Sequence, residues 1–126
     1  MIRSFKDLTV WQKSFDLVAE IYRLTDQLPK QEVFGLSSHL RLCAVSIPSN
    51  IAEGQQRNNT KEYRQFLGVA KGSCAELETQ LLLVSALYNI DTDAVVSDLK
   101  EIQKMLQAIL NKLSAVHFPL STGAKK

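Results

Sequence analysis

The chain has 126 residues, 45% of them hydrophobic, with three prolines, five glycines and a formal net charge of +2. That is the length of one domain, able to bury about two-thirds of its unfolded surface, and its apolar content argues against disorder. So small a charge gives no global electrostatic reason to expect nucleic acid, and only a local patch can carry such contacts.

The first residues, Met1 to Asp7, hold no apolar run, and no segment approaches the length of a membrane span. Neither secretion nor membrane insertion is expected, and the chain reads as cytoplasmic. A first helix is predicted over about 7–27. One apolar stripe comprises Leu8, Trp11, Phe15, Val18, Tyr22 and Thr25; a second, Val10, Leu17, Ile21, Leu24 and Leu28, runs beside it. Together they make a face wider than a lone bundle helix needs, and the second stripe is expected to be buried in part between subunits. Pro29 ends the helix.

A second helix is predicted over about 32–53, starting at Gln31 or Val33. It carries Leu36, Leu40, Cys43 or Ala44, Ile47 and Ile51. Pro48 lies inside it and removes a backbone hydrogen bond, so a kink is expected there, with Ser46, Ser49 and Asn50 supplying or orienting partners for the carbonyls. Gly54 stands where a left-handed C-terminal cap is wanted.

The polar run from Gly54 to Asn59 reads as a loop. A third helix is predicted over about 60–88, with Asn59 as its cap and Glu62 completing a capping box. Tyr63, Leu67, Ala70, Cys74, Leu77, Leu81, Val84 and Tyr88 form the most regular stripe in the chain. A turn at 89–92 leads to a fourth helix over about 92–116, carrying Val95, Leu99, Ile102, Leu106, Ile109 and Leu113. No strand alternation occurs. The short connections predict an all-α, antiparallel up-and-down four-helix bundle over residues 1–118, with helix two kinked at Pro48 and residues 119–126 as a flexible tail.

Catalytic signatures are missing. The residues three before His39 and His117 are Leu36 and Ser114, so the carboxylate–histidine spacing of di-metal bundles does not occur. No Cys-x-x-Cys, phosphate loop or nucleophile elbow is found. No metal and no cofactor is expected, and the reading is non-enzymatic; Glu53, Glu76 and His39 are the only titrating groups that an enzyme reading can name. His39, between apolar positions, reads as partly buried or at an interface. Cys43 and Cys74 read as reduced packed thiols, with a disulfide between them as the alternative.

Two features remain. Arg57, Lys61, Arg64 and Lys71 gather between Gly54 and Gly72 against one acid, Glu62, and can contact phosphates or serve as a solvated face. Gly68 and Gly72 sit four apart on the third helix, where small residues let helix backbones approach.

Phe5 to Lys13, Phe34-Gly35-Leu36, Ser46-Ile47-Pro48-Ser49-Asn50-Ile51-Ala52-Glu53-Gly54, Phe66 to Ser73 and Glu76-Leu77-Glu78 resemble the four-helix-bundle family of 23S rRNA intervening-sequence proteins. The resemblance spans roughly residues 4 to 113. It implies a compact bundle that assembles as a ring, typically a homopentamer. Genes for some members lie in insertions within bacterial 23S rRNA genes. The accessory protein of diversity-generating retroelements is similar in fold and works by binding nucleic acid and a reverse transcriptase.

The resulting expectation is a homo-oligomeric scaffold or nucleic-acid-associated adaptor. Arg57, Lys61, Arg64 and Lys71 would touch RNA or DNA. Pro48, Asn50, Glu53, Gly54, Gly68 and Gly72 would serve structure or the subunit interface. The alternative is a protein–protein module that binds no nucleic acid.

Overall fold

The structure is a computed structural model that describes residues 4–117, the side chains of 115–117 excepted. The expected tail at 119–126 and the His117 side chain lie outside the described residues. Four helices follow one another: α1 (Thr9–Thr25), α2 (Leu36–Gln55), α3 (Thr60–Tyr88) and α4 (Asp93–His117). No strand occurs among the described residues.

Each helix packs on the helix before and after it in the chain, and α4 closes back on α1. Cross-links between neighbours run in opposite directions along the two partners. Cys43 of α2 meets Ser73 of α3, and Gly54 meets Tyr63 and Phe66. Lys71 reaches Gln107 of α4, and Glu78 reaches Lys100. The bundle is therefore antiparallel and up-and-down, as connections of four residues between the last three helices require.

The core is the predicted stripe in α2, α3 and α4. Leu40, Ile47, Ile51, Leu67, Leu77, Leu81, Leu99 and Leu106 are wholly buried. In α1 the expectation inverts. Val10, Leu17, Ile21 and Leu24 fill the core, whereas Phe15 and Tyr22 of the other stripe stay exposed. The stripe expected at a subunit interface is thus the bundle's own core, while the other one lies at its margin, with Thr25 buried, Leu8, Trp11 and Val18 packed partly against the core, and Phe15 and Tyr22 exposed. Both stripes keep a helical spacing, and the more regular one is not the one buried, so periodicity alone does not rank them.

Boundaries differ where local hydrogen bonding wins over pattern. Ser4 caps a short 3-10 turn, Phe5–Asp7, in a capping box with Asp7, and α1 starts two residues later. Helix α2 starts at Leu36 rather than at Gln31 or Val33. Lys30–Glu32 forms a separate 3-10 turn, and the Glu32 carboxylate accepts the Leu36 amide at 3.1 Å. Asn59 caps α3 by accepting the Glu62 amide at 2.8 Å, while the Glu62 side chain bonds the Asn59 side chain rather than its backbone. Asn89 ends α3 at φ 54°, ψ 38°, the left-handed conformation that asparagine tolerates better than most residues.

Gly54 is not the left-handed cap expected of it. No glycine has positive φ among the described residues, and Gly54 lies within α2. A Cβ there would stand 2.7 Å from the Phe66 Cβ and 3.1 Å from the Tyr63 ring. This glycine is needed because α2 and α3 come too close for any side chain.

Candidate functional site

The expected phosphate-binding residues sit at the end of the bundle where α2 passes into α3. Arg57 lies in the connection. Its guanidinium donates to Glu53 at 2.9 Å, lies 3.8 Å from Glu62 and stacks over the Phe66 ring at 4.8 Å. Two carboxylates and an aromatic face therefore already occupy this group. Glu53, outside the basic stretch in sequence, is brought onto it by one helical turn.

Lys61 and Arg64 stand in the first turns of α3, three apart and so on one face, and Lys71 follows two turns later on the same side. Lys61 is exposed and Arg64 half-buried. The Lys71 ammonium donates to the side-chain carbonyl of Gln107 on α4. Four cations thus stand along the first half of α3 and the connection before it, Arg57 held by Glu53 and Glu62 and Lys71 by Gln107. A shallow depression of about 640 Å³ at the start of α3 is lined by Asn59, Thr60, Lys61, Glu62 and Gln65.

Around Pro48 the structure assembles a polar seam. Helix α2 continues through the proline, whose ring nitrogen has no hydrogen for the Ala44 carbonyl. Asn50 donates to the Ser46 carbonyl at 2.7 Å, and the Ser46 hydroxyl donates to the Cys43 carbonyl at 3.0 Å. The same hydroxyl meets the Ser73 hydroxyl of α3 at 2.5 Å. The Cys43 thiol donates to the Ser73 carbonyl at 3.1 Å. Asn50 and Ser46 thus serve the carbonyls of Ser46 and Cys43, beside the Ala44 carbonyl that the proline frees, and Ser49 is exposed. The link to Ser73 is the part that sequence reasoning missed, because nothing along one strip of sequence says which serine on another helix stands opposite.

Both cysteines are free and buried. Burial, with Glu76 nearby, pushes the Cys43 thiol up to about 12. Burial, with Cys43 and Glu78 nearby, does the same to Cys74. A nucleophilic thiol needs the reverse shift. Of the other groups an enzyme reading can name, His39, Glu53 and Glu76 are exposed. Of the two readings of His39, partly buried or at an interface, the first does not hold within the chain: it is exposed, because Leu40 and Cys43 take the inward positions. Among the described residues, no trio of His, Cys, Asp or Glu is placed to hold a metal ion. No described helix is long and apolar enough to cross a membrane.

Two further clusters went unread in the sequence. Tyr88, at the end of α3, donates to Glu32 in the α1–α2 connection. That bond, with the Leu36 amide, holds the Glu32 carboxyl below its usual range and raises the Tyr88 phenol. On the α1–α4 side, Glu20 is raised by partial burial and by its hydrogen bond to Asp98, with Asp16 adding and Arg23 opposing. Lys13 pairs with Glu101 nearby at 3.1 Å.

The sequence matches the family model of the 23S rRNA-intervening sequence protein over residues 6–110. The chain belongs to that family. Among curated proteins none is similar enough to count as a match. A solved structure from Bacteroides thetaiotaomicron, described as a protein of unknown function from the S23 ribosomal protein family, is 25% identical. It superposes with a TM-score of 0.75, covering 81% of this chain and 95% of its own. The family match extends over nearly all four helices.

Proposed function

We propose that this family member is a non-enzymatic, cytoplasmic, bacterial homo-oligomer, a homopentamer in the reading that the family resemblance suggests, which serves as a nucleic-acid-associated adaptor. The observation that carries the nucleic-acid part is the row Lys61, Arg64 and Lys71 along one face of α3, opening at a helix N-terminus. Backbone amides at such an end favour phosphate. On one protomer the row is a weak field; repeated around a closed assembly it is a strong one.

A protein–protein module is the second reading, and two observations favour it. Net charge is only +2, and Arg57 is spent on Glu53 and Glu62.

Binding of a labelled structured RNA and a matched DNA duplex, followed across a salt series, decides between them. The adaptor reading expects submicromolar binding that weakens steeply with salt. It expects loss of binding when Lys61, Arg64 and Lys71 are changed to Ala together, and near-retention in Arg57→Ala. No binding at about 150 mM salt, from folded and assembled protein, rejects it.

A further inference from the structure

We infer that the nucleic acid this protein takes is duplex RNA, held across its minor groove by the first half of α3 and the second half of α4. This rests on the nucleic-acid reading above, names the form of nucleic acid and adds α4 to the surface.

The charge is segregated. Glu101 is the last acid in the chain, and α3 has none between Glu62 and Glu76. The two stretches between those limits run side by side, since Lys71 donates to Gln107. Together they carry Arg64, Lys71, Lys104 and Lys112 and no carboxylate. The acids at the borders are turned elsewhere: Glu101 pairs with Lys13 of α1 at 3.1 Å, and Glu62 with the Asn59 cap and Arg57. Asp16, Glu20 and Asp98 gather with Glu101 on the α1–α4 side. A chain of net charge +2 thus owns one surface that is purely cationic, which is what phosphate contact needs.

Its polar pattern narrows the ligand. Between the cations of α3 and those of α4 lie side-chain amides: Gln107 accepts from Lys71 and donates to Asn111 at 2.8 Å. Lys104 and Lys112 are exposed on the same helix, one on each side of the amides in sequence. Arg64 to Lys71 is seven residues and Lys104 to Lys112 eight, so each pair spans about 10–12 Å of helix. Gly68, midway between Arg64 and Lys71, places no side chain there, and a Cβ would meet nothing within 4 Å. The surface is low and uncharged in the middle and cationic on two helices. A shallow groove between two phosphate rows is its complement, with the amides reaching sugar hydroxyls and base edges.

Other forms fit less well. Two packed helices, each about 10 Å across and 8–10 Å apart, present a face roughly 20 Å wide, too broad for a major groove of about 12 Å. A single strand asks for exposed rings on which bases stack. The two rings of this part of α3 are turned to α2 instead, Tyr63 against Gly54 and Phe66 beneath Arg57. Helix α4 exposes no large hydrophobic residue among those described. Duplex RNA offers a wide, shallow minor groove lined with 2′-hydroxyls, which the DNA minor groove lacks.

The test uses the full chain with three labelled probes: an RNA duplex, the DNA duplex of the same sequence and one RNA strand alone. Anisotropy should show the RNA duplex bound about tenfold or more tighter than the other two, as hydrogen bonds to 2′-hydroxyls require. Lys104→Ala with Lys112→Ala should weaken both duplexes and lower the salt slope by about 2. Gln107→Ala with Asn111→Ala should remove the preference for RNA and leave DNA affinity unchanged. All four positions face solvent at least in part, and circular dichroism verifies folding. Equal binding of the two duplexes, tighter binding of the single strand, an unaltered salt slope in the lysine variant or a preference that survives the amide variant overturns the duplex-RNA surface and leaves nucleic-acid binding standing. No binding of any probe by folded protein overturns both.

Discussion

Gly54 and Gly72 are both helical glycines, yet they answer to different neighbours. Beneath Gly54 the backbone of α3 is so close that a methyl group would strike the Phe66 Cβ at 2.7 Å. Above Gly72 there is open space. The first glycine is explained by this fold; the second meets nothing in it. The comparison separates a residue that the bundle requires from one that it does not, which fold similarity alone cannot do.

Substitutions can break this contrast. Gly54→Ala is expected to destabilise the bundle by about 1–3 kcal/mol, the cost of overpacking a tight contact, read from the midpoint of urea unfolding. A neutral result would mean that α2 and α3 separate easily and that the seam is not tight. Gly72→Ala is expected to have the opposite sign. It should stabilise by up to about 1 kcal/mol, because alanine is the better helix former and meets no obstacle.

The electrostatic counterpart is smaller. Glu20 faces Asp98 across α1 and α4, with Asp16 adding and Arg23 opposing, beside the Lys13–Glu101 pair. Its carboxyl is raised in the fold, so the folded state holds its proton to higher pH than the unfolded chain does. The pair's contribution is therefore complete at acid pH, below the unfolded value, and is lost as pH rises through the folded value. Glu20→Gln should stabilise the protein at pH 7 by less than about 1 kcal/mol, since a largely solvated pair is screened. The gain should vanish below about pH 3, well under the ordinary glutamate value, where the wild-type carboxyl is protonated in both states. Thermal unfolding of both proteins across pH measures this directly; a gain that persists at acid pH would assign the effect to packing.

Much of the fold was legible because α2, α3 and α4 each carry a single apolar stripe, and a single stripe has one place to go. Helix α1 carries two, and only packing shows that Leu17 and Ile21 face inward while Phe15 and Tyr22 do not. Gly54 was legible as special but not for the right reason, since a cap and a close approach both ask for glycine. The basic row was visible as composition, but the loss of Arg57 to Glu53 needed the helical turn that brings them together. Ser46 and Ser73 lie 27 residues apart, and their pairing follows from the α2–α3 register rather than from any local pattern.

The most direct test of the contrast is urea unfolding of Gly54→Ala and Gly72→Ala beside the unaltered protein. If the first glycine answers to the fold and the second does not, the Gly54→Ala midpoint falls below that of the unaltered protein and the Gly72→Ala midpoint rises above it. Two midpoints lowered by the same amount would contradict it.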